Sequence, residues 1–453
     1  MTHYRVRTDT TSALPEGDAT RILDWQPGSP ASTIQIGRRA GARFFDGWRA
    51  PRAALDLFLL GAAAYCVDKV SLRAAATDQW TRELSIELPV DDGNTWSNTP
   101  WAPVLNFLTG DKWNVSPYQE PRSPVANLKR VPDDPTPVAE VDAVCLFSGG
   151  LDSLTGVIDL LEGDSKLRLC LLSHHEGDKA STAQQVLLAA LRSHYGEDRI
   201  VSRRLFLRPA PVSGGQARPL PPARENTTRA RSLLFLTTGL ALAASVSPTT
   251  PVYIPENGFI GINVPLTRAR SGSYSTRTTH PHFLSLLQEA VASVGVGNPI
   301  LNPFRLKTKG EILKESKNSA LLKQLAPLSI SCSHPEAARY VKRPQGNCGY
   351  CFPCLIRRAS MAHVGWDTTV GYAWDALSGR DLLDRNTRRA ADLRAVVNGV
   401  YADRPDRDIL RNGPIPNSEH ADFLRVWRAG IEELRNWFEG ATDATGKLVG
   451  SLK

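Results

Sequence analysis

The stretch Val144-Cys145-Leu146-Phe147-Ser148-Gly149-Gly150-Leu151-Asp152-Ser153 restricts the fold of this chain more than any other. A short apolar run of β-formers stops at two glycines, which reads as a buried strand entering a tight turn. Leu154, Val157, Ile158 and Leu161 then recur at i, i+3, i+4 and i+7, one face of a helix, with Gly163 placed to end it. A strand, a glycine turn and a helix start form an anion site. Backbone N–H groups converge there, the helix dipole adds partial positive charge, and glycine lets a ligand come close to the backbone. Ser148 and Ser153 bracket the turn with hydroxyls, and Asp152 offers a carboxylate suited to Mg²⁺ beside phosphates. An ordinary glycine turn would account for Ser148-Gly149-Gly150 alone; Asp152 and Ser153, set between a strand and a helix, favour the anion site.

From about 138 to 365 the pattern alternates strand and helix, which predicts a parallel sheet covered on both faces. Strands are expected at 167–172, 200–207 and 251–254. Helices are expected at 182–195, capped by Gly196, and at 228–244, after a Pro/Gly-rich loop at 209–222. Ligands of open α/β sheets sit beyond the carboxyl ends of the strands, so the loops at 148–153, 173–180, 208–231 and 255–280 should face one cleft. Arg224, Arg229 and Arg231 suit phosphate or carboxylate, although arginines on a helix are as often simply solvated. Asn226 is placed to cap that helix. Glu256-Asn257-Gly258-Phe259 follows a strand directly, where it serves either as a turn or as a reader of a nucleobase edge, with Phe259 as a stacking face. Arg268, Arg270, Arg277, His280 and His282 cluster in a Ser/Thr/Gly-rich loop resembling a lid over an anionic substrate. Thr308-Lys309-Gly310-Glu311 fits a capping box, with Lys309 as a phosphate contact.

Four of the seven cysteines fall within 332–354: Cys332, then Cys348, Cys351 and Cys354 as C-x₂-C-x₂-C. Four thiolates satisfy tetrahedral Zn²⁺ with no open position, the pattern of a structural site. An iron–sulfur cluster is the lesser competitor for the same ligands.

At 453 residues, two or three domains are expected, and 42% apolar with 22% charged residues describes a globular protein. Residues 1–136 read as an α+β extension. Its alternating runs at 32–36 and 83–88 look like half-exposed strands, and 55–72 looks like a helix packed on them. Trp96, Trp101 and Trp113 fit a recognition surface or, more commonly, core anchors. The apolar run at 57–67, flanked by Asp56 and Asp68, is about half the ~20 residues a membrane span needs, so a buried helix is expected and no membrane. The start leads into polar sequence, so no secretory signal is expected; together with the clustered cysteines this suggests a cytoplasmic protein. Net charge +8 is a mild bias towards nucleotides or nucleic acid. The run 130–137, with three prolines, reads as a linker. Beyond about 366 the chain turns helical: Leu424, Trp427, Ile431, Leu434 and Phe438 form an amphipathic stripe, and 445–453 reads as a loose tail.

The turn at 148–153 is not a Walker loop, because no lysine follows its glycines. It resembles the PP-loop, S-G-G-x-D-S, of the ATP pyrophosphatases, which cleave ATP between the α- and β-phosphates and adenylate a substrate. The further order of Arg224 to Asn226, Glu256-Asn257-Gly258, Thr308-Lys309-Gly310-Glu311, Ser331-Cys332 and the cysteine triplet followed by Arg357-Arg358 resembles the QueC family over about half of the chain. QueC proteins are 7-cyano-7-deazaguanine (preQ0) synthases. The long flanks resemble those of QatC, the QueC-like component of the Qat anti-phage defence systems. The sequence departs from the family after the second strand, where Ser173-His174-His175-Glu176-Gly177 replaces tyrosine-glycine-glutamine, and between Gly258 and Phe283, which lacks its Asp-rich wording.

The resemblance implies an adenine nucleotide α-hydrolase-like (HUP) parallel sheet with PP-loop and four-cysteine zinc site at 137–365, with the α+β extension before it and a helical extension at 366–453. It implies an ATP-dependent ligase using Mg²⁺ and holding Zn²⁺, which adenylates a 7-carboxy-7-deazaguanine-type substrate. The acyl group would pass to a nitrogen nucleophile, in defence relatives the N-terminus of a partner protein and in QueC proper ammonia. Ser148, Asp152 and Ser153 would be catalytic. Gly149, Gly150, Leu151, Ser173, Arg224 and Lys309 would join them around ATP. Asn226, Glu256, Asn257, Gly258, Phe259 and Arg277 would hold the substrate. A tRNA-thiolating enzyme, which needs an unligated cysteine, and a nucleotide-sensing scaffold are the other readings.

Overall fold

The structure is a computed structural model that describes residues 1–8, 20–27, 29–37, 49–120, 140–175, 180–226, 228–266, 277–342, 346–383 and 388–453. The expected linker at 130–137, Glu176, Gly177, Arg268 and Arg270 lie outside them.

The leading region carries β1 (Thr2–Arg7), β2 (Thr20–Asp24), β3 (Ile34–Ile36) and a long helix, α1 (Arg52–Val70). Then come β4 (Glu83–Val90), α2 (Gly93–Ser97), α3 (Trp101–Thr109) and β5 (Lys112–Gln119). Its sheet runs β2-β1-β4-β5 with every pair parallel. The parallel pairing corrects the expectation of an α+β extension, whereas the expected half-exposed strand at 83–88 is found: Leu84, Ile86 and Leu88 of central β4 are buried, Glu83 is exposed and Glu87 is partly exposed. The alternation reports that polar face, where Glu87 pairs with Arg5 of β1 at 3.2 Å, both side chains partly exposed. Trp96 and Trp101 stack with ring centroids 5.1 Å apart, and Trp113 donates its indole N–H to Thr109 Oγ1 at 2.8 Å. All three are buried core anchors.

The second sheet takes β6 (Ala143–Leu146), β7 (Leu169–His175), β8 (Ile200–Pro209), β9 (Val252–Tyr253) and β10 (Ile300–Leu301). Its helices are α4 (Leu151–Gly163), α5 (Ala180–Tyr195), α6 (Arg231–Val246), α7 (Gly258–Ile262) and α8 (Pro281–Ser293). The order is β10-β9-β6-β7-β8-β3, parallel except for β3, which the leading region adds antiparallel to β8. The chain leaves β6 for β7 on one side and later returns to β9 on the other. The direction of winding therefore reverses between β6 and β9, and a crevice opens past their carboxyl ends.

Helix α1 is buried almost all round and packs on α6. Its acids survive burial because each is bonded. Asp56 accepts from Arg52 at 2.7 Å and from the Asp91 amide at 2.9 Å; Asp68 accepts from Arg82 at 2.5 Å and from the Ala230 amide at 2.8 Å. Among the described residues, no helix is long and apolar enough to cross a membrane. One apolar core runs from Tyr4 to Val296 and so spans the leading region and the second sheet.

The remaining helices are α9 (Lys309–Lys314), α10 (Ser319–Leu325), α11 (Phe352–His363), α12 (Ala391–Tyr401), α13 (His420–Phe438) and α14 (Asp443–Gly450). A second core joins Phe259 and Ile262 to the cysteine segment and to Trp427, Leu434 and Phe438 of the α13 stripe. The expected loose tail is instead α14, seated by buried Thr445, whose hydroxyl donates to the Ala376 carbonyl at 2.7 Å. Helix α6 begins at Arg231 with Ala230 as its N-cap, so Arg224, Asn226 and Arg229 precede it and exposed Asn226 caps nothing there.

Candidate functional site

The turn after β6 has the backbone shape that an anion site needs. Gly149 has φ +79°, which an L side chain rarely adopts, and a Cβ there would lie 3.0 Å from Gln184 Cγ. Ser148 Oγ accepts the Gly150 N–H at 3.2 Å and stands 3.2 Å from Ser153 Oγ. Helix α4 starts at Leu151, so the amides of Asp152 and Ser153 fall in its first turn, where no intrahelical acceptor exists. Ser173 lies beneath the turn and donates its hydroxyl to the Phe147 carbonyl at 2.8 Å.

A cavity of about 850 Å³ opens on this turn, within the range of small-molecule sites. Ser148, Gly149 and Ser153 form its floor, Leu172, Phe235 and Ile254 give apolar walls, and Arg231, Glu256 and Gln184 supply the polar groups. Arg231 is the one of the three expected arginines that reaches it. Its Nε donates to His174 Nδ1 at 3.2 Å, while His174 Nε2 donates to the Leu207 carbonyl at 3.0 Å. Burial, and then the Arg231 charge, push His174 down to about 3, so its ring is neutral and orients the guanidinium.

Asp152 is engaged differently from the Mg²⁺ ligand the sequence suggests. Its Oδ1 pairs with Lys309 Nζ at 2.7 Å, and its Oδ2 accepts from Asn257 Nδ2 at 2.7 Å. Asn257 also caps α7, its side-chain oxygen accepting the Ile260 amide at 3.0 Å. Thr308 and Glu311 form the capping box that orients Lys309.

Glu256 faces the cavity and accepts from Thr279 Oγ1. Burial first, and the Asp152 charge second among raising effects, push it up to about 7. The folded carboxyl thus holds its proton more tightly than the unfolded one, with its ordinary 4.5. The resulting stabilisation is complete below about pH 4.5 and is lost as pH rises through about 7. Glu256→Gln is therefore expected to gain about 2–3 kcal/mol on the parent chain between pH 5 and pH 8, read from urea midpoints at the two pH values.

Four expected residues stand elsewhere. Phe259 is buried in the second core, its ring against Gly430, and offers no face to the cavity. Arg277 spans the Asn412 side chain at 2.9 Å and the Phe107 carbonyl at 2.6 Å, a tether between distant segments. Arg224 donates to carbonyls of its own loop, at Pro221 and Ala223, and to that of Ala210. Asn226 is exposed. The Gly258 amide donates to the Lys307 carbonyl at 2.8 Å, fixing the start of α7. His280, pushed down to about 3 by burial and then by Arg277, caps α8 and packs on Phe107.

Two supports were not legible as site residues. Ser331 Oγ accepts the Leu151 amide at 3.1 Å; the only local hint is its place beside Cys332. Buried Glu433 of α13 accepts from Thr308 Oγ1, from the Gly310 amide at 3.2 Å and from Ser360 Oγ at 3.2 Å. A Cβ on Gly310 would sit 2.4 Å from its Oε1, so glycine is needed for that approach. Glu433→Ala leaves these donors unpaired and is expected to lower stability by about 1–3 kcal/mol in urea unfolding, with Glu433→Gln losing less.

The Sγ atoms of Cys332, Cys348, Cys351 and Cys354 all lie within 4.8 Å of one another. Two pairs, Cys332–Cys351 and Cys348–Cys354, are 3.9 Å apart, close to the ~3.8 Å between sulfurs that share a tetrahedral zinc at ~2.3 Å. Backbone amides point at the sulfurs, with Cys348 N–H 3.2 Å from Cys332 Sγ and Cys351 N–H 3.4 Å from Cys348 Sγ. The set can hold a metal ion such as zinc. No family model, no curated protein and no solved structure matches this chain.

Proposed function

We propose that this chain is an ATP-dependent, carbon–nitrogen bond-forming enzyme of the PP-loop class on a HUP-type sheet. It adenylates a 7-carboxy-7-deazaguanine-type acid, releases pyrophosphate, and passes the acyl group to a nitrogen nucleophile, the N-terminus of a partner protein of an anti-phage defence system. The observation that carries the reading is the position of the 148–153 turn: at the crossover between β6 and β9, with first-turn amides at the edge of a cavity of about 850 Å³. The class of acid and the partner rest on the resemblance to QueC and QatC, and a cytoplasmic setting on the clustered cysteines.

In this reading the Ser148 and Ser153 hydroxyls and the α4 amides bind the pyrophosphate portion and stabilise charge developing on the α-phosphate. Lys309 supplies a cation at the same place. Arg231, held by His174, takes an anionic group across the cavity. Among the described residues Glu256 is the carboxylate that lines the cavity, and with Asp152 it would hold Mg²⁺ once Lys309 turns to phosphate. A divalent cation there neutralises phosphate charge. Zinc in the four-cysteine site has a structural part only.

Thiolation is disfavoured by the cysteines outside the metal set. Cys66, Cys145 and Cys170 are fully buried, and burial pushes each thiol well up, Cys170 to about 12, so none is a ready nucleophile.

The test is to incubate the chain with ATP, 7-carboxy-7-deazaguanine and its genomic-neighbour proteins. Expected are AMP, pyrophosphate and a deazaguanine adduct on one neighbour by intact mass. An amide or nitrile without an adduct would point to ammonia as nucleophile, and ATP binding without AMP to a sensing scaffold.

A further inference from the structure

The four-cysteine segment and the 148–153 turn are bonded directly to each other. Ser331 Oγ accepts the N–H of Leu151, the first residue of α4, at 3.1 Å, and the Ile330 amide donates to the Gly149 carbonyl at 3.0 Å. A Cβ on Gly150 would lie 3.4 Å from Ser331 Oγ, so the turn and the serine are in contact. Ser331 is in turn gripped from the metal side. It precedes Cys332, its amide donates to Asn347 Oδ1 at 3.0 Å, and its carbonyl is 3.7 Å from Cys354 Sγ. Asn347 precedes Cys348, and its Nδ2 donates to the Ser329 carbonyl at 3.2 Å.

We propose that Ser331 is a positioning residue through which occupancy of the four-cysteine site sets the geometry of the 148–153 turn. Residues 329–332 lie in neither helix nor strand. Their position therefore depends on these side-chain bonds and on the anchoring of Cys332 among the other three sulfurs. A bound metal ties that end of the segment to 348–354 and fixes where Ser331 meets the turn. The hydroxyl then satisfies the Leu151 donor, which leaves the next two amides of α4 directed at an anion. The coupling rests on the nucleotide reading for its consequence, but not for its geometry.

The experiment uses the full chain, zinc-loaded and chelated, with Ser331→Ala and Ser331→Thr, and three readouts: zinc per chain, exchange of the Leu151 amide, and affinity for ATP. Chelation is expected to speed Leu151 exchange in the parent and not further in Ser331→Ala; an equal response in both overturns the proposal. Ser331→Ala is expected to keep its zinc, to exchange the Leu151 amide about tenfold faster, and to bind ATP about tenfold more weakly, the loss of one hydrogen bond of ~1.4 kcal/mol. Ser331→Thr, which keeps the acceptor, restores both. Unchanged Leu151 exchange in Ser331→Ala overturns the proposal, as does loss of zinc from that variant, which would make Ser331 part of the metal site. Should the parent chain fail to bind ATP while Leu151 exchange responds as stated, the coupling stands and the nucleotide reading falls.

Discussion

Asp152→Asn is expected to cut pyrophosphate release severely while the chain stays folded. Asp152 is the centre of a buried polar cluster, with Lys309 at 2.7 Å on one oxygen and Asn257 at 2.7 Å on the other. The Lys309 side chain is 4% exposed, so removing its partner outright strands an ammonium away from water. Breaking a buried pair from one side costs about 3–5 kcal/mol, and Asp152→Ala should therefore lose stability as well as activity. Asparagine keeps the shape and one acceptor oxygen for Asn257 but removes the charge that holds Lys309. Turnover should fall by a factor on the order of 10³, comparable with removing a transition-state hydrogen bond, while the urea midpoint drops less than for alanine. The measurement is pyrophosphate release beside urea unfolding for both variants. ATP-to-AMP turnover near the parent rate in Asp152→Asn removes the turn from the chemistry.

Metal removal should be the largest perturbation of structure. Cys348, Cys351 and Cys354 are fully buried in a core shared with Tyr350, Trp374, Trp427 and Phe438. Structural zinc is worth about 10–16 kcal/mol in isolated fingers, and although surrounding packing takes part of that load here, several kcal/mol should remain. Chelation, or Cys348→Ser, is expected to loosen first the core that joins Phe259, the cysteine segment and α13, because that core contains the site, and to leave the core around α1 and α6 for last. Tryptophan fluorescence reports the first step through Trp374, Trp427 and Trp437. One zinc per chain and a fluorescence change on chelation are expected; full retention of the fold after metal loss contradicts a structural role. A visible absorption band would identify iron–sulfur instead.

What the sequence made legible was local. The strand, glycine turn and helix around 148–153 each leave a short-range signature, and three of the four clustered cysteines lie within seven positions. The sheet order that puts this turn at a crossover is not local, nor are the contacts that shape the site. Ser331 meets Leu151 across 180 residues and Glu433 meets Thr308 across 125. Phe259 shows the cost of reading a motif alone. Beside a Glu-Asn-Gly turn it looks like a stacking face, yet Gly430, far along the chain, leaves a hollow that its ring fills. The leading sheet was legible only in part: alternation in 83–88 marks the buried and the exposed face of β4 but says nothing of the parallel pairing with β1 and β5 on either side. Arg224 and Asn226 were misplaced by a helix start set a few residues too early, at the kind of boundary that propensity fixes least well.

The central claim is that the cavity beside 148–153 joins an acid to AMP. It is tested most directly with ¹⁸O in the carboxylate of 7-carboxy-7-deazaguanine. Attack of that carboxylate on the α-phosphate breaks the α–β bond, and collapse of the acyl adenylate leaves one carboxylate oxygen on AMP. Mass spectrometry should therefore find one ¹⁸O in the AMP released and unlabelled pyrophosphate in equal amount. ADP as the nucleotide product, or AMP carrying no ¹⁸O, contradicts the account.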